Sequence, residues 1–250
     1  MKIVTIGDVH GHDKWKNAVY RINEDTGEIM YCNINFTINK VVFLGDYVDD
    51  WGLSNVEILH NLKEIIQLKK DYPDNVELLL GNHDVAYIMN DNGISGHRPE
   101  MGPDLYQLFH ENRDLFKIAY QYKNTIWTHA GIHKGWYQYH VQPILNGTEE
   151  TRFRDFLGDC KNIADLLNLM YEFKHPAIFM VSHHRGGHNK VGGPLWADKI
   201  ETYTKPLAGY HQIVGHTPVP CPRTYDFYDL TKVTYCDCNA VCDIFYKIDL

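Results

Sequence analysis

The 250-residue chain lacks any apolar run long enough to cross a membrane. Its longest apolar stretches, such as Val41–Leu44 and Ala177–Val181, are strand-sized. The opening segment Met1–Asp8 reaches a carboxylate too soon to be a secretion signal. Cysteine is sparse: six residues, at 32, 160, 221, 236, 238 and 242, cannot staple a disulfide-built mini-fold. A reducing, cytoplasmic location is therefore expected. Positive charge is in deficit, with 24 Lys and Arg against 32 Asp and Glu and a net charge of −8. That balance argues against sequence-independent duplex binding, which needs many phosphate contacts. Neither nucleic acid nor membrane is an expected partner, and a monomer or weak oligomer is expected. Repeats, low-complexity tracts and Gly/Ser linkers are missing too, so one domain over residues 1–250 is expected. What is present is ordinary globular apolar content, 44%, and 15 histidines, which invite a search for metal ligands and acid–base groups.

The first half alternates strand and helix signals. Lys2–Ile6, Val41–Leu44 and Val76–Leu80 read as buried strands. Between them, His12–Ile22 carries Trp15, Ala18, Val19 and Ile22 at helical spacing, and Leu53–Leu68 reads as an amphipathic helix opened by Ser54 or Asn55. This βαβαβ order implies a largely parallel sheet. Further on, Ile126–Thr128 and Ile213–Val214 read as strands, Ile178–Val181 as strand-like, and Glu149–Met170 as helix. Val233–Cys236 and Ile244–Ile248 suggest antiparallel strands about a turn at Asn239-Ala240. The class expected is α/β with two sheets, the second mixed or antiparallel.

Five of these strands stop at metal-capable side chains: Gly7-Asp8-Val9-His10, Gly45-Asp46-Tyr47-Val48-Asp49, Gly81-Asn82-His83-Asp84, Thr128-His129 and Gly215-His216-Thr217. The carboxyl ends of parallel strands form the crevice where α/β sheets bind ligands. Asp, Asn and His offer oxygen and imidazole donors suited to Mn, Fe, Zn or Mg rather than to a thiolate zinc site. Each piece alone has a plainer explanation. Gly-Asp is a common turn, Asn82 would serve as the N-cap of a helix over His83–Met89, and a single histidine such as His129 is more often structural. Five such endings in one chain are harder to explain as turns.

Taken in order, these blocks resemble those of the calcineurin-like metallophosphoesterases, and within them the serine/threonine phosphoprotein phosphatase branch with its bacterial and phage relatives. The family's Asp-x-His, Gly-Asp-x-x-Asp, Gly-Asn-His-Asp, His-x-Gly and Gly-His-Thr patterns stand between Asp8 and Thr217. The resemblance implies an α/β fold, a β-sandwich of two mixed sheets flanked by helices. It implies two divalent metal ions, Mn2+ first with Fe, Zn or Ni as alternatives. Asp8 and His10 would hold one, Asp46 would bridge, and Asn82, His129 and His216 would hold the other. His83 would protonate the leaving group, oriented by Asp49. Gly192–Asp198 is similar to a Leu-Trp-x-Asp or Gly-Pro-x-Trp stretch of the family. The two ions would activate water for hydrolysis of a phosphoric ester, so the implied partner is a phosphorylated protein, nucleotide or small molecule.

One position departs from the pattern. The phosphatase branch continues Gly-Asp-x-x-Asp with Arg-Gly, whereas here Asp49 is followed by Asp50-Trp51-Gly52. An acid where a phosphate-binding Arg is expected reverses the local charge. Arg185 is the candidate replacement, with Arg98 behind it, and a surface guanidinium is the plainer alternative for Arg185. The leading expectation is a phosphomonoesterase or phosphoprotein phosphatase. The alternatives are a nucleotide or dinucleoside-polyphosphate hydrolase, a phosphodiesterase, and last a metal-binding module without turnover. The Cys236-x-Cys238-x3-Cys242 group departs from Cys-x2-Cys spacing and reads first as small core residues, with zinc as the rival.

Overall fold

A computed structural model describes every residue except 24, 27, 149, 150 and 239–241. The strands are β1 (Lys2–Ile6), β2 (Tyr20–Ile22), β3 (Ile29–Cys32), β4 (Lys40–Phe43), β5 (Val76–Leu79), β6 (Phe116–Lys117), β7 (Ala119–Tyr122), β8 (Thr125–Thr128), β9 (His211–Val214), β10 (Arg223–Asp226), β11 (Lys232–Tyr235) and β12 (Tyr246–Asp249). The helices are α1 (Lys16–Val19), α2 (Asn55–Asp71), α3 (Asn82–Met89), α4 (Gly102–Glu111), α5 (Lys134–His140), α6 (Gln142–Leu145), α7 (Ile163–Glu172) and α8 (Lys199–Thr204). They form a mixed α/β fold with two mixed five-stranded sheets, the class expected from the sequence.

The chain divides into two compact units. The first holds Met1–Phe116, Pro218–Pro222 and Cys236–Leu250. Its sheet runs β12-β1-β4-β5-β6, with β1, β4 and β5 parallel and β12 antiparallel to β1. Strands buried on both faces need unbroken apolar runs, and Val41, Val42 and Phe43 are all fully buried. Helix α2 starts where Ser54 and Glu57 cap one another: Oγ of Ser54 accepts the Glu57 N–H at 3.3 Å, and Glu57 accepts the Ser54 N–H at 2.7 Å. Ile58, Leu62, Ile65 and Ile66 give it one buried stripe.

The second unit holds Lys117–Thr217 and Arg223–Tyr235. Its sheet runs β10-β11-β9-β8-β7. Strands β8, β9 and β11 are parallel, and β7 and β10 run antiparallel at the edges. Each sheet therefore carries three adjacent parallel strands, so several strand ends point the same way within each unit.

Four expected elements differ. The helix over His12–Ile22 is a single turn, Lys16–Val19, because Tyr20–Ile22 leaves it to pair with β3. Tyr and Ile there favour an extended, cross-paired backbone over a solvated helix. The expected Glu149–Met170 helix is a 3-10 segment, Arg154–Asp159, followed by α7, which begins afresh where Oδ1 of Asn162 accepts the Asp165 N–H at 3.0 Å. Its expected first residue, Glu149, lies outside the described residues, as does the Asn239-Ala240 turn. Strands β11 and β12 do not pair with each other; they belong to different sheets. The strand-like Ile178–Val181 gives way to a 3-10 turn over Pro176–Phe179, where Pro176 has no N–H to offer a ladder.

Candidate metal centre

In the first unit β1, β4 and β5 lie side by side, and the turns just after them carry Asp8, Asp46 and Asn82. The glycine before each turn gives the backbone room. Gly45 has φ +99°, and a Cβ on Gly81 would lie 2.0 Å from Oδ1 of Asp46. The N–H groups of Val9 and His10 both donate to the Asp46 carbonyl, at 3.1 and 2.7 Å, which ties the first loop to the second. One ligand atom each from Asp8, His10 and Asp46 then lies within 4.8 Å of the others. Nδ1 of His10 is 2.8 Å from the Val48 carbonyl. That contact occupies Nδ1 and leaves Nε2 as the nitrogen on the side of the carboxylates, 4.0 Å from Oδ2 of Asp46. A histidine fixed through its other nitrogen is how metal ligands are held. Two buried carboxylates and one such imidazole suit a divalent cation.

Asn82 is buried as the first residue of α3, and Gly81, not Asn82, is the N-cap. The next residue, His83, donates its backbone N–H to Oδ1 of Asp46 at 2.9 Å, and its Nδ1 lies 2.9 Å from Oδ2 of Asp49. The rings of His10 and His83 meet edge to face, 5.3 Å apart. Burial works to lower the His83 pKa, but the charges of Asp46, Asp49 and Asp84 outweigh it and raise it above the ordinary value. An imidazole next to Asp46, with one nitrogen held by a carboxylate, can carry a proton to a neighbouring oxygen.

Sequence reasoning assigned Asp84 no role, yet it organises these loops. It is fully buried; Oδ2 accepts from the N–H groups of Asp46 and Gly81, and Oδ1 from that of Tyr47, all at 2.8 Å. The spacing Asn82-His83-Asp84 carried that signal: an acid at the third helical position can reach back to the cap. Backbone strain marks the same residues. Of ten non-glycine residues with positive φ among those described, His10, Asp46, Asp49 and His216 are four. Left-handed backbone costs about 1–2 kcal/mol per residue, so the surrounding bonds must hold them there.

In the second unit β8 and β9 are parallel neighbours and end at His129 and His216. Nε2 of His129 lies 3.0 Å from Nδ1 of His216, and the Gly215 N–H donates to the His129 carbonyl at 2.8 Å. Two nitrogens about 2.1 Å from one ion would stand about 3.0–3.4 Å apart, so this pair fits a shared cation. Arg185 gathers beside it: Nε lies 2.8 Å from Oδ2 of Asp198, and Nη2 donates to Oγ1 of Thr217, the residue after His216. Trp196 meets the His216 ring edge to face at 5.8 Å. The unit also brings His183, His184 and Glu201 within 4.8 Å. Glu201, however, already accepts from the Ser182 hydroxyl and from the N–H groups of Gly192 and Asp198, where it caps α8.

At position 50 the acid is engaged by its neighbours. The Asp50 carboxylate turns into its own loop, accepting the N–H groups of Gly52 at 2.6 Å and Leu53 at 3.1 Å, with Nε2 of His12 also at 3.1 Å. Partial burial would raise its pKa, but the bonds from Gly52, His12 and Leu53 prevail and lower it. Arg98 is likewise engaged, donating to the carbonyls of Asp50 and Leu53 and to Oδ1 of Asn55. Cys236 and Cys238 are buried, and burial pushes both thiols up, Cys238 to about 12.

A parallel-strand α/β chain with carboxylate and imidazole donors at its strand ends has the makings of a metal-dependent hydrolase. The family description "Calcineurin-like phosphoesterase" matches residues 1–220, and the chain belongs to that family. A catalytic subunit of protein phosphatase 2A from Dictyostelium discoideum is 29% identical over 133 residues, which are 52% of this chain and 38% of that protein. The chain thus spans less than half the length of that relative. Among solved structures, the cold-active protein-tyrosine phosphatase of a psychrophilic Shewanella species is similar at a TM-score of 0.56 and 20% identity, over 99% of this chain and 75% of that one. Another structure of a cold-active protein tyrosine phosphatase gives a TM-score of 0.52 and 19% identity, over 95% of this chain and 69% of that one. These likenesses are of fold. No helix among the described residues is long and apolar enough to cross a membrane.

Proposed function

We propose that the chain is a cytoplasmic phosphomonoesterase, with phosphoproteins among its substrates, acting as one domain over residues 1–250. In this reading Asp8, His10, Asp46, Asn82, His129 and His216 would hold two divalent ions. Mn2+ is the first choice, with Fe, Zn or Ni as alternatives. When bound, the ions activate water and neutralise charge on the phosphoryl oxygens. The observation that carries the reading is the pair His83–Asp49 attached through the His83 N–H to Asp46, which puts a held proton carrier beside a metal-type donor group.

The chain's own residues then divide the work. Asp49 accepts Nδ1–H of His83, which leaves Nε2–H of the imidazolium to point outward. As the phosphorus–oxygen bond to the leaving group breaks, its electron pair stays on the leaving oxygen, and His83 supplies the proton from Nε2. The oxygen of water forms the new bond to phosphorus, and the proton that this water releases goes to solvent, from which His83 is reprotonated. Arg185, aligned by Asp198 and Thr217, binds the non-bridging oxygens. The diesterase and nucleotide-hydrolase readings draw on the Arg missing after Asp49; in this reading Arg185 supplies that guanidinium, and the Asp50 carboxylate is engaged within its own loop.

The test is a substrate panel on Mn2+-loaded protein: an aryl monoester, an aryl diester and a dinucleoside polyphosphate. The proposal expects the monoester to turn over fastest. Faster cleavage of the diester or the dinucleotide would overturn the substrate class. Absence of turnover on all three would favour a binding module.

A further inference from the structure

Tyr87 lies one helical turn beyond His83 in α3, and both side chains reach the same carboxylate. His83 takes Oδ2 of Asp49 at 2.9 Å, and the Tyr87 hydroxyl donates to Oδ1 at 2.5 Å. The Tyr87 oxygen in turn accepts the Arg98 backbone N–H at 2.9 Å. Its ring stacks on His97 at 4.7 Å with an interplanar angle of 18°. Tyr87 and Asp49 are both buried, so no water competes for these bonds.

An aspartate carboxylate rotates over a broad range about its last torsion. Held only by His83, the Asp49 carboxylate could turn and loosen the imidazole. Held at its other oxygen by a buried phenol, it keeps one orientation. We infer that Tyr87 is a positioning residue for the reaction proposed above: it fixes one oxygen of Asp49 so that the other holds Nδ1–H of His83 and the ring delivers its proton from a constant direction. The Arg98 N–H steadies the phenol, and the Arg98 guanidinium ties the same residue to the loop that carries Asp50 and Leu53. A residue that only fills space would serve equally well as Phe. The hydroxyl is what sets this role apart from packing.

This inference rests on His83 acting as the proton donor, so the experiment runs Tyr87→Phe and His83→Asn side by side in the full Mn2+-loaded chain. Each is assayed on an alkyl phosphate, which needs protonation of its leaving group, and on an activated aryl phosphate, which does not. Tyr87→Phe keeps the ring on His97. Its expected effect is a loss of about 10–100-fold in kcat on the alkyl substrate, with unchanged KM and bound metal, and no more than about threefold loss on the aryl substrate. Because Tyr87 acts through Asp49, adding Tyr87→Phe to Asp49→Asn should slow the enzyme less than about twofold further. Equal losses on both substrates, additive losses in the double variant, or no loss at all would overturn the role. If His83→Asn shows the leaving-group dependence and Tyr87→Phe does not, only this inference falls. If His83→Asn shows none, the proposed function falls with it.

Discussion

Replacing Asp84 by Asn isolates what one buried carboxylate does for the strand-end loops. The side chain keeps its shape, but the amide has one accepting oxygen in place of two. Placed where two N–H groups arrive, from Asp46 and Gly81, that oxygen keeps two of the three bonds. Its NH2 group then faces the Tyr47 N–H, donor against donor. A lost hydrogen bond to a charged acceptor is worth about 1.5–3 kcal/mol, and an orphaned buried N–H about 1–3 kcal/mol. The sum for Asp84→Asn is about 2.5–6 kcal/mol. At about 2–4 °C per kcal/mol for a chain of this size, Tm should fall by about 5–24 °C. Thermal unfolding by circular dichroism reads that shift. Titration with Mn2+ should also show weaker binding, because the Tyr47 N–H, next to Asp46 in the chain, loses its anchor. A Tm within about 2 °C of wild type with unchanged Mn2+ affinity would refute the reasoning.

Three further outcomes follow from particular contacts. Arg185→Ala should raise KM on every phosphate substrate tested and leave bound metal unchanged; an unchanged KM would make Arg185 a structural partner of Asp198. Asp50→Arg should destabilise the loop at Gly52 and Leu53 while leaving the monoester-to-diester ratio of kcat/KM as it was; a rise in that ratio would mean that position 50 faces substrate after all. Burial first, and then Lys232, push His211 down to about 4, so as pH falls through about 6.5 the unfolded chain takes up this proton before the folded one. Stability should therefore decline between about pH 6.5 and 4, by about 1–2 kcal/mol after allowance for partial exposure. Denaturant unfolding at pH 7.5 and 4.5 should show a smaller decline for His211→Gln than for wild type, and an equal decline would refute the assignment.

The legible parts of the fold were those governed by local rules. The mainly apolar runs of β1, β4 and β5 and the Ser54–Glu57 cap of α2 can be read directly from residue type and spacing. The Gly-Asp and Gly-Asn-His-Asp endings marked residues that the first unit does gather, with Asp8, His10 and Asp46 close together and His83 on Asp49. What the sequence hid depends on long-range pairing. Tyr20–Ile22 follows helical periodicity until β3 claims it, and Val233–Cys236 looks like half of a hairpin until β9 and β10 take it as a partner. Side-chain direction was hidden as well. Asp50 looks like a charge aimed at the phosphate, yet two backbone N–H groups and His12 hold it within its loop. Tyr87 looks like an ordinary helix position because its partner Asp49 lies 38 residues away in the chain, and the local bond of Asp84 to Gly81 gives no sign of its bonds to Asp46 and Tyr47.

The most direct measurement is metal content per chain after reconstitution with Mn2+ and removal of excess ion, for wild type beside Asp46→Asn and His216→Ala. Two ions in the wild type, fewer in each variant, and hydrolysis of an aryl monoester lost together with the ions are the results predicted. A wild type that binds no stoichiometric metal, or variants that keep both ions, would contradict the account at its centre.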